Sequence, residues 1–467
     1  MHRSSDQLKF AIIGAGASGL ATAKNFRARG IPFEILEKTS DIGGLWNIAT
    51  PSGVVYETTH LVSSARSTGF EDFPLPDHRD GKPTYPSHES VLAYFRAYAD
   101  TFDLKGHIVF DAEVTRAEPQ GDGTWRVQIK GEAEPRHYAG LVVANGHLTE
   151  PRLPKIPGDF AGTYIHSRGY KSPRQLRDKR IVVIGGGNSA CDIVSDAAHN
   201  GAAVDLCLRR GYWFVPKFFI GFPTYDIVQV MEMIPFPRFV RRHLYGLAHL
   251  IHVGPNYRYG LQAPDYPIDA AHPTMSDEIP RLVSHGRVKV RPAIRNFSGN
   301  KVVFEDGSSV EADIVIAATG YQASMPFLDR AMVFGNDGRA RFYENVFHQE
   351  HENLFAAGLI QANGSIWRLA DYQSQLIASY LVAKQAKAEA AALIDAERRT
   401  HALPVGHFVQ SERHKLEANY FDYRRKLRRL NRRFGTLATA QWPEPDRRPA
   451  DPLRIVETSD TVRQAAE

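Results

Sequence analysis

The sequence predicts an α/β fold with two Rossmann-like dinucleotide-binding domains, the second inserted in the first, and three observations carry this reading. A glycine turn, Gly14-Ala15-Gly16-Ala17-Ser18-Gly19, follows a short apolar run and precedes helix-forming residues. A second turn, Gly185-Gly186-Gly187, stands between the same kinds of neighbour 171 positions later. Beyond it, Asn353 to Gly358 is another apolar run closing on glycine, which returns the chain to the first unit. A repeat distance that long marks two domains rather than a solenoid.

In the first unit, Lys9 to Ile13 reads as a buried strand, Leu20 to Arg29 as a helix and Pro32 to Leu36 as a strand ending at Glu37, 23 residues after Gly14. This is the spacing of a dinucleotide-binding βαβ unit. Gly14 permits a tight turn, Gly16 lets the backbone approach a pyrophosphate, and Gly19 lets the helix pack on the strand. The start of the helix, at Ser18, offers free N–H groups to the phosphates. Gly106 to Val114 and Thr124 to Lys130 read as strands around the turn Gln120 to Gly123, and Leu141 to Ala144 as a buried strand running to Gly146. The second unit copies this plan. Arg180 to Ile184 is its first strand, a helix extends to about His199, and Val204 to Leu208 is its next strand. Arg287 to Pro292, Lys301 to Glu305 and Ile314 to Ala318 complete it, and Tyr372 to Gln385 reads as a helix of the returning chain.

The two units differ in the residues just after their second strand. Glu37 offers a carboxylate that accepts hydrogen bonds from both ribose hydroxyls and repels a 2′-phosphate, which predicts FAD or NAD, with Lys38 beside it as a further contact. The same count from Gly185 reaches Leu208, and Arg209 and Arg210 come next with two guanidinium groups suited to a phosphate. This predicts NADPH, with Gly185, Gly187, Asn188 and Ser189 as its turn. One chain holding both sites implies a relay in which NADPH delivers hydride to a flavin. Only two cysteines occur, Cys191 and Cys207, and no Cys-x-x-Cys exists. That excludes a disulfide framework, a four-cysteine zinc site and a dithiol acceptor, so both thiols read as buried apolar groups and no metal is expected. The electrons then go to oxygen or to a bound small molecule.

With 467 residues, 57 Lys+Arg against 52 Asp+Glu leaves +5, too diffuse for nucleic acid, which demands a concentrated basic surface. The apolar run from Phe10 to Ile13 is too short for a signal segment, and Phe218 to Phe236 is broken by Asp226, Glu232, Pro223 and Pro235, so a soluble, cytoplasmic protein is expected. The domains are placed at 1–169 and 331–441 for FAD, 170–330 for NADP with a helical insertion at about 212–266, and 442–467 as a flexible tail.

The linker Phe160-Ala161-Gly162-Thr163-Tyr164-Ile165-His166-Ser167-Arg168-Gly169-Tyr170-Lys171 matches the Phe-x-Gly-x-x-x-His-x-x-x-Tyr pattern of class B flavin-containing monooxygenases. The resemblance extends from about residue 9 to 385. Gly43-Gly44-Leu45-Trp46 resembles the family's flavin-side loop, Arg209 to Trp213 its 2′-phosphate clamp, and Ala318-Thr319-Gly320-Tyr321 and Gly358 to Gln361 its later segments. It implies FAD and NADPH as cofactors, a C4a-(hydro)peroxyflavin, and molecular oxygen with a small soft nucleophile as substrates. Related Baeyer–Villiger enzymes carry Trp where this chain has Tyr170, which favours N- or S-oxygenation. Ketone oxygenation, a weakly coupled NADPH oxidase and a catalytically silent flavoprotein are the alternatives. His166 is implied as an interdomain linker residue rather than a general base. Where N-oxygenating members place an Asn, this chain runs His60-Leu61-Val62-Ser63-Ser64-Ala65-Arg66, so His60, Ser63, Ser64 or Arg66 must supply the polar contact, or Val62 leaves the oxygenated flavin poorly protected.

Two further segments draw expectations. Tyr212 to Tyr266 is rich in aromatic and apolar residues, which read as the core of a helical subdomain, with an apolar channel or a peripheral membrane contact as the alternative. Arg424 to Arg433 holds seven cations among Tyr420, Phe421, Tyr423, Leu427, Leu430 and Phe434, the pattern of a basic amphipathic helix packed on the flavin domain. A homodimer is left open.

Overall fold

The computed structural model describes residues 8–234, 236–271, 274–400 and 416–435. The tail expected at 442–467 lies outside the described residues. Two sheets dominate. The first has the order Phe342–Tyr343, Phe347–His348, Leu354–Ala356, Gly140–Val143, Phe10–Ile13, Phe33–Leu36, Ile108–Val109. From Leu354–Ala356 onward its neighbours are parallel, and their near-continuous burial is what helices on both faces require. The second is wholly parallel, in the order Val288–Arg291, Ala203–Cys207, Arg180–Ile184, Ile314–Ala317, Thr163–His166. Every strand of the second sheet lies in sequence between Gly140–Val143 and Phe342–Tyr343 of the first, which makes it an insertion.

In each sheet the strand before the glycine turn is flanked on one side by the next strand of its βαβ unit and on the other by the strand that closes the unit. The order reverses there, and the crevice at the carboxyl ends of these strands is where open α/β sheets bind ligands. Each sheet also carries a three-stranded antiparallel meander, Val114–Pro119 with Trp125–Ile129 and Arg136–Tyr138, and Ile294–Ser298 with Lys301–Phe304 and Ser309–Glu311.

Three expectations are corrected. Gly106 to Val114 is no single strand: only Ile108–Val109 pairs in the first sheet, and Asp111 at φ 55° turns the chain before the meander begins at Val114. Thr163–His166, assigned by the sequence to the first domain, is the edge strand of the second sheet, so the boundary at 169/170 falls behind it. The aromatics of the insertion are not mainly core. Phe214 is buried, but Phe218, Ile220, Phe222, Phe236, Phe239, Leu247, Leu250 and Ile251 are all exposed, and helix Thr224–Met233 buries no residue.

The returning helix, Ile366–Gln385, starts six residues before its expected first residue because Ser365 caps it through Arg368 N. It packs on the first turn helix, Ala17–Arg27, around a buried ionic cluster: Lys24 Nζ reaches Asp371 at 2.7 Å and Asp72 at 2.5 Å, and Asn25 Nδ2 also donates to Asp371 at 2.8 Å. The C-terminal helix, Tyr420–Arg432, buries Tyr420, Phe421, Tyr423, Leu427 and Leu430 in the same core, as expected for an amphipathic helix. Its cations divide. Arg424, Lys426 and Arg433 pair with Glu71, Glu344 and Glu397, while Arg428, Arg429 and Arg432 are exposed.

Replacing Lys24 by Met would leave Asp371 charged and buried without its cation, which costs about 3–5 kcal/mol. A denaturation midpoint unchanged in K24M would contradict this account of how the two helices are joined.

Candidate active site

Steric contacts explain the glycines of the first turn. Gly14 has φ +106°, and a Cβ there would stand 2.9 Å from the carbonyl oxygen of Ala144. A Cβ on Gly19 would overlap the carbonyl oxygen of Gly14. Gly16 faces Gly44, whose Cα would be 3.8 Å from a Cβ on Gly16, so the approach to the turn is bare backbone on both sides. Ser18 lies in the first turn of the helix, against Gly358. Glu37 is buried at the end of its strand, where its Oε2 accepts the Ala15 N–H at 2.7 Å and its Oε1 accepts the Thr39 N–H at 3.0 Å and hydroxyl at 2.8 Å. Its carboxylate is thus held against the glycine turn, as a ribose acceptor must be. Lys38 is exposed beside it. Gly44–Trp46 forms a short 3₁₀ turn, with Leu45 O accepting Val54 N–H at 3.0 Å and Trp46 standing edge-on to Trp367 at 6.0 Å. A buried acid and a cleft floored by glycine fit a flavin dinucleotide.

At the second turn, Gly185 has φ +123°, and a Cβ there would meet the Ala318 carbonyl oxygen at 2.5 Å. Gly187 is the N-cap of helix Asn188–His199, Ser189 is exposed in its first turn, and Asn188 Oδ1 accepts Met275 N–H at 2.8 Å. Arg210 is flanked by two rings, with its guanidinium 4.7 Å from the centroid of Tyr266 and 5.9 Å from that of Tyr212. Arg209 is exposed. The aromatic faces fix the direction of Arg210 without neutralising it, which leaves a guanidinium free for a phosphate.

His166, Thr319, Gly320 and Tyr321 come together where the chain crosses between the sheets. Arg152 N–H donates to Gly320 O at 3.0 Å, Thr319 Oγ1 donates to Arg152 O, and Tyr321–Gln322 pairs antiparallel with Glu150–Pro151. His166 Nε2 lies 2.9 Å from Gly320 O, its Nδ1 accepts Arg168 N–H at 3.1 Å, and its ring stands edge-on to Tyr321 at 4.9 Å. Burial holds the imidazole below its usual pKa, so near neutrality it is an uncharged group committed to the backbone. Gln361 Oε1 meets His147 Nε2 at 2.9 Å.

The four polar candidates after Tyr56 are not brought together. His60 is exposed and turns back to Thr58 O at 2.9 Å; Arg66 is exposed; Ser63 bonds Thr68 Oγ1 at 2.7 Å. Ser64 is buried and gives its hydroxyl to Asp226 Oδ1 at 2.5 Å. Asp226 was not a sequence candidate, nor was Tyr225, whose hydroxyl donates to Asn363 O at 2.6 Å. No local pattern marks them, because both lie on the insertion and meet the first domain only through the fold. A cavity of about 780 Å³ lies behind them, lined by Phe219, Ile227, Met231 and Leu244 of the insertion and by Asn363 and Tyr423 of the first domain.

The model of flavin-binding monooxygenase-like proteins matches residues 7–433. The chain belongs to this family. Flavin-containing monooxygenase 5 of Mus musculus is 33% identical over 451 residues, which cover 89% of this chain and 81% of that protein. Dimethylaniline monooxygenase [N-oxide-forming] 2 of Rattus norvegicus is 32% identical over 440 residues, with 89% and 81% covered. Among solved structures, S-allyl-L-cysteine S-oxygenase from Allium sativum superposes with a TM-score of 0.63 at 22% identity over 98% of both chains, and cyclohexanone monooxygenase in its open form with 0.62 at 19% over 81% of this chain and 88% of the other. As a flavin-binding monooxygenase the protein is an FAD-dependent enzyme that uses NADPH and molecular oxygen on a small-molecule substrate.

Removing either guanidinium, in Arg209→Ala or Arg210→Ala, is expected to raise the KM for NADPH about ten-fold or more, the cost of a lost charged hydrogen bond. The KM for NADH should hardly change, and an equal loss with both cofactors would refute the phosphate assignment.

Proposed function

We propose that the enzyme holds FAD on the Gly14–Gly19 turn with its ribose on Glu37, holds NADPH on the Gly185–Gly187 turn with its 2′-phosphate at Arg209 and Arg210, and oxygenates the nitrogen or sulfur of a small soft nucleophile. The observation that carries the cofactor assignment is the opposite chemistry after the two matching strands: a buried carboxylate aimed at one turn, and a ring-flanked guanidinium beside the other. N-oxygenation is supported by the 32%-identical N-oxide-forming relative. FAD held on the Gly14–Gly19 turn would supply the redox chemistry, taking hydride from NADPH and activating oxygen so that one atom goes to substrate and the other to water. The protein's part is to orient and to enclose. His147 and Gln361 hold each other beyond the carboxyl ends of the first sheet, and Tyr225 bonds to Asn363 in the wall of the cavity. The cavity joins an apolar wall of Phe219, Ile227, Met231 and Leu244 to charged side chains that include Glu232, Arg241, Asp269 and Lys426, a lining that suits a small molecule with an apolar body and a polar end.

Val62 is partly buried and offers no amide, and the hydroxyls of Ser63 and Ser64 are already engaged. Without substrate, NADPH oxidation is therefore expected to release hydrogen peroxide in nearly equal amount, and a peroxide yield near zero would overturn this. A thioether should yield sulfoxide; conversion of a ketone to an ester, with thioethers and tertiary amines untouched, would replace the proposed chemistry by Baeyer–Villiger oxidation.

The insertion supports peripheral contact with an anionic membrane surface. Among the described residues, 13 of the 16 exposed large hydrophobic side chains lie between Phe218 and Tyr257. Helix Arg238–His252 is turned inside out. Arg238 and Arg242 bind Asp269 at 2.8 and 2.9 Å, Tyr245 binds Glu232 at 3.1 Å and His249 meets Phe214 O at 3.0 Å, while Phe239, Leu247, Leu250 and Ile251 face outward. An outward apolar face of this extent marks an interaction surface, and the exposed cations Arg258, Arg428, Arg429 and Arg432 suit anionic headgroups. No helix among the described residues is long and apolar enough to cross a membrane. The protein is expected to sediment with phosphatidylserine vesicles at low salt and to lose this in Leu250→Ser/Ile251→Ser. A fully soluble fraction, or a dimer whose dissociation exposes the same face, would exclude the membrane reading.

A further inference from the structure

Helix Asn188–His199 carries two carboxylates, Asp192 and Asp196, one turn apart and on the same side. Neither has a cation within ion-pair distance among the described residues. Instead, both are held by hydroxyls from outside their helix. Tyr56 Oη donates to Asp192 Oδ2 at 2.7 Å. Thr58 Oγ1 and Tyr170 Oη donate to Asp196 Oδ2 at 2.6 and 2.7 Å. The two tyrosine rings are buried against each other at 5.2 Å, so these hydroxyls have fixed positions. Burial raises the pKa of both carboxyls, which shows what it costs to keep two acids here and why three hydroxyl donors surround them.

The attachment of those hydroxyls gives the arrangement its meaning. Tyr56 and Thr58 belong to the first domain, between the flavin-side loop Gly43–Trp46, to which Val54 N–H is bonded, and the Ser63–Ser64 segment. Asp192 lies four residues, about 6 Å, along its helix from Asn188 at the second glycine turn. The carboxylates thus join the wall of one nucleotide site to the helix that opens the other. Glu57 N–H, donating to Lys171 O at 2.9 Å, and Lys171 Nζ, donating to Gly53 O at 2.9 Å, tie the same segment to the linker but not to the helix.

We propose that Asp192 and Asp196 form a strap that sets the orientation of the NADP-binding helix against the flavin domain, so that they act as positioning residues for hydride transfer without touching either cofactor. This rests on the assignment of the Gly185 turn to NADPH. Because the strap acts on orientation and not on phosphate contacts, its loss reduces the rate at bound cofactor while leaving binding nearly intact, and it treats NADPH and NADH alike. That separates it from Arg209 and Arg210, whose loss acts on binding.

The test is rapid-mixing measurement of flavin reduction in FAD-loaded Tyr56→Phe, Asp192→Ala and Asp192→Asn, together with titration of the oxidised flavin spectrum by NADP+. Tyr56→Phe removes one oxygen and keeps the ring, so the fold survives even where Asp192→Ala fails to fold. The limiting reduction rate is expected to fall about ten-fold in Y56F and D192A, the effect of one hydrogen bond to a charged group. NADP+ affinity should stay within about two-fold, the shape of the NADP+-induced flavin difference spectrum should change, and D192N, which keeps an acceptor oxygen, should recover most of the rate. The double variant Y56F/D192A should be no slower than the slower single one. An unchanged limiting rate and difference spectrum in Y56F would overturn the strap; so would a loss confined to NADP+ affinity. Absence of any NADP+ effect on the wild-type flavin would instead remove the cofactor assignment beneath it.

Discussion

Two glycine turns on separate sheets must face each other, and this constraint governs the molecule. Each turn is fixed within its own sheet by parallel pairing and by carbonyl oxygens that leave no room for a Cβ at Gly14 or Gly185. Their relation to each other is not fixed by any sheet. Among the described residues two covalent crossings join the domains, and they run side by side as Glu150–Pro151 and Tyr321–Gln322. Paired strands of two residues make a hinge: they resist separation through backbone hydrogen bonds but permit twist. The Gly320 carbonyl, which accepts from Arg152 N–H and from Nε2–H of the neutral His166 ring, stiffens that hinge at one point. Orientation farther from the axis must come from side chains, and there the hydroxyls of Tyr56 and Thr58 meet Asp192 and Asp196.

This constraint changes the meaning of the linker pattern. Tyr170 is the last residue of the motif that resembles the monooxygenases, and its place in the sequence invites a role in substrate choice. The structure buries the side chain completely and points its hydroxyl at Asp196, and Lys171 beside it binds the carbonyls of Gly53 and Val55. The motif therefore describes how the domains are attached. His166 belongs to the same attachment, since both of its ring nitrogens are occupied by backbone groups.

The elements read most accurately from sequence are those whose causes are local. Strand Arg180–Ile184 has its expected bounds and helix Asn188–His199 its expected end, because glycine conformation, apolar runs and helix formers act within a few residues. The place of Glu37 at the end of its strand was legible for the same reason, and the turn itself puts Ala15 within its reach. Gly106 to Val114 failed where Asp111 adopts a left-handed conformation that nothing in an apolar run announces. The insertion failed for a deeper reason. Periodicity shows that Arg238–His252 has an apolar and a polar face, but not which one meets water, and here Asp269 and Glu232 draw the arginines inward. Asp226 and Tyr225 were illegible because their partners, Ser64 and Asn363, are 162 and 138 residues away.

Those two contacts couple features that the domain plan keeps apart. In sequence the insertion belongs to the second unit, yet Asp226 and Tyr225 bond to Ser64 and Asn363 of the first. A twist about the hinge must either carry the insertion with the second sheet, breaking both bonds, or leave it behind and strain the segments at Phe214–Val215 and Thr274–Met275, which pair in parallel at its base. Thr274 also donates to Gly186 O at 3.0 Å, and Met275 N–H to Asn188 Oδ1, so strain at that base reaches the nucleotide turn directly. The position of the insertion and the geometry of the Gly185–Gly187 turn are therefore not independent variables in this fold. A change that loosens the insertion at its base also disturbs the backbone and side chain of the second glycine turn, at Gly186 and Asn188.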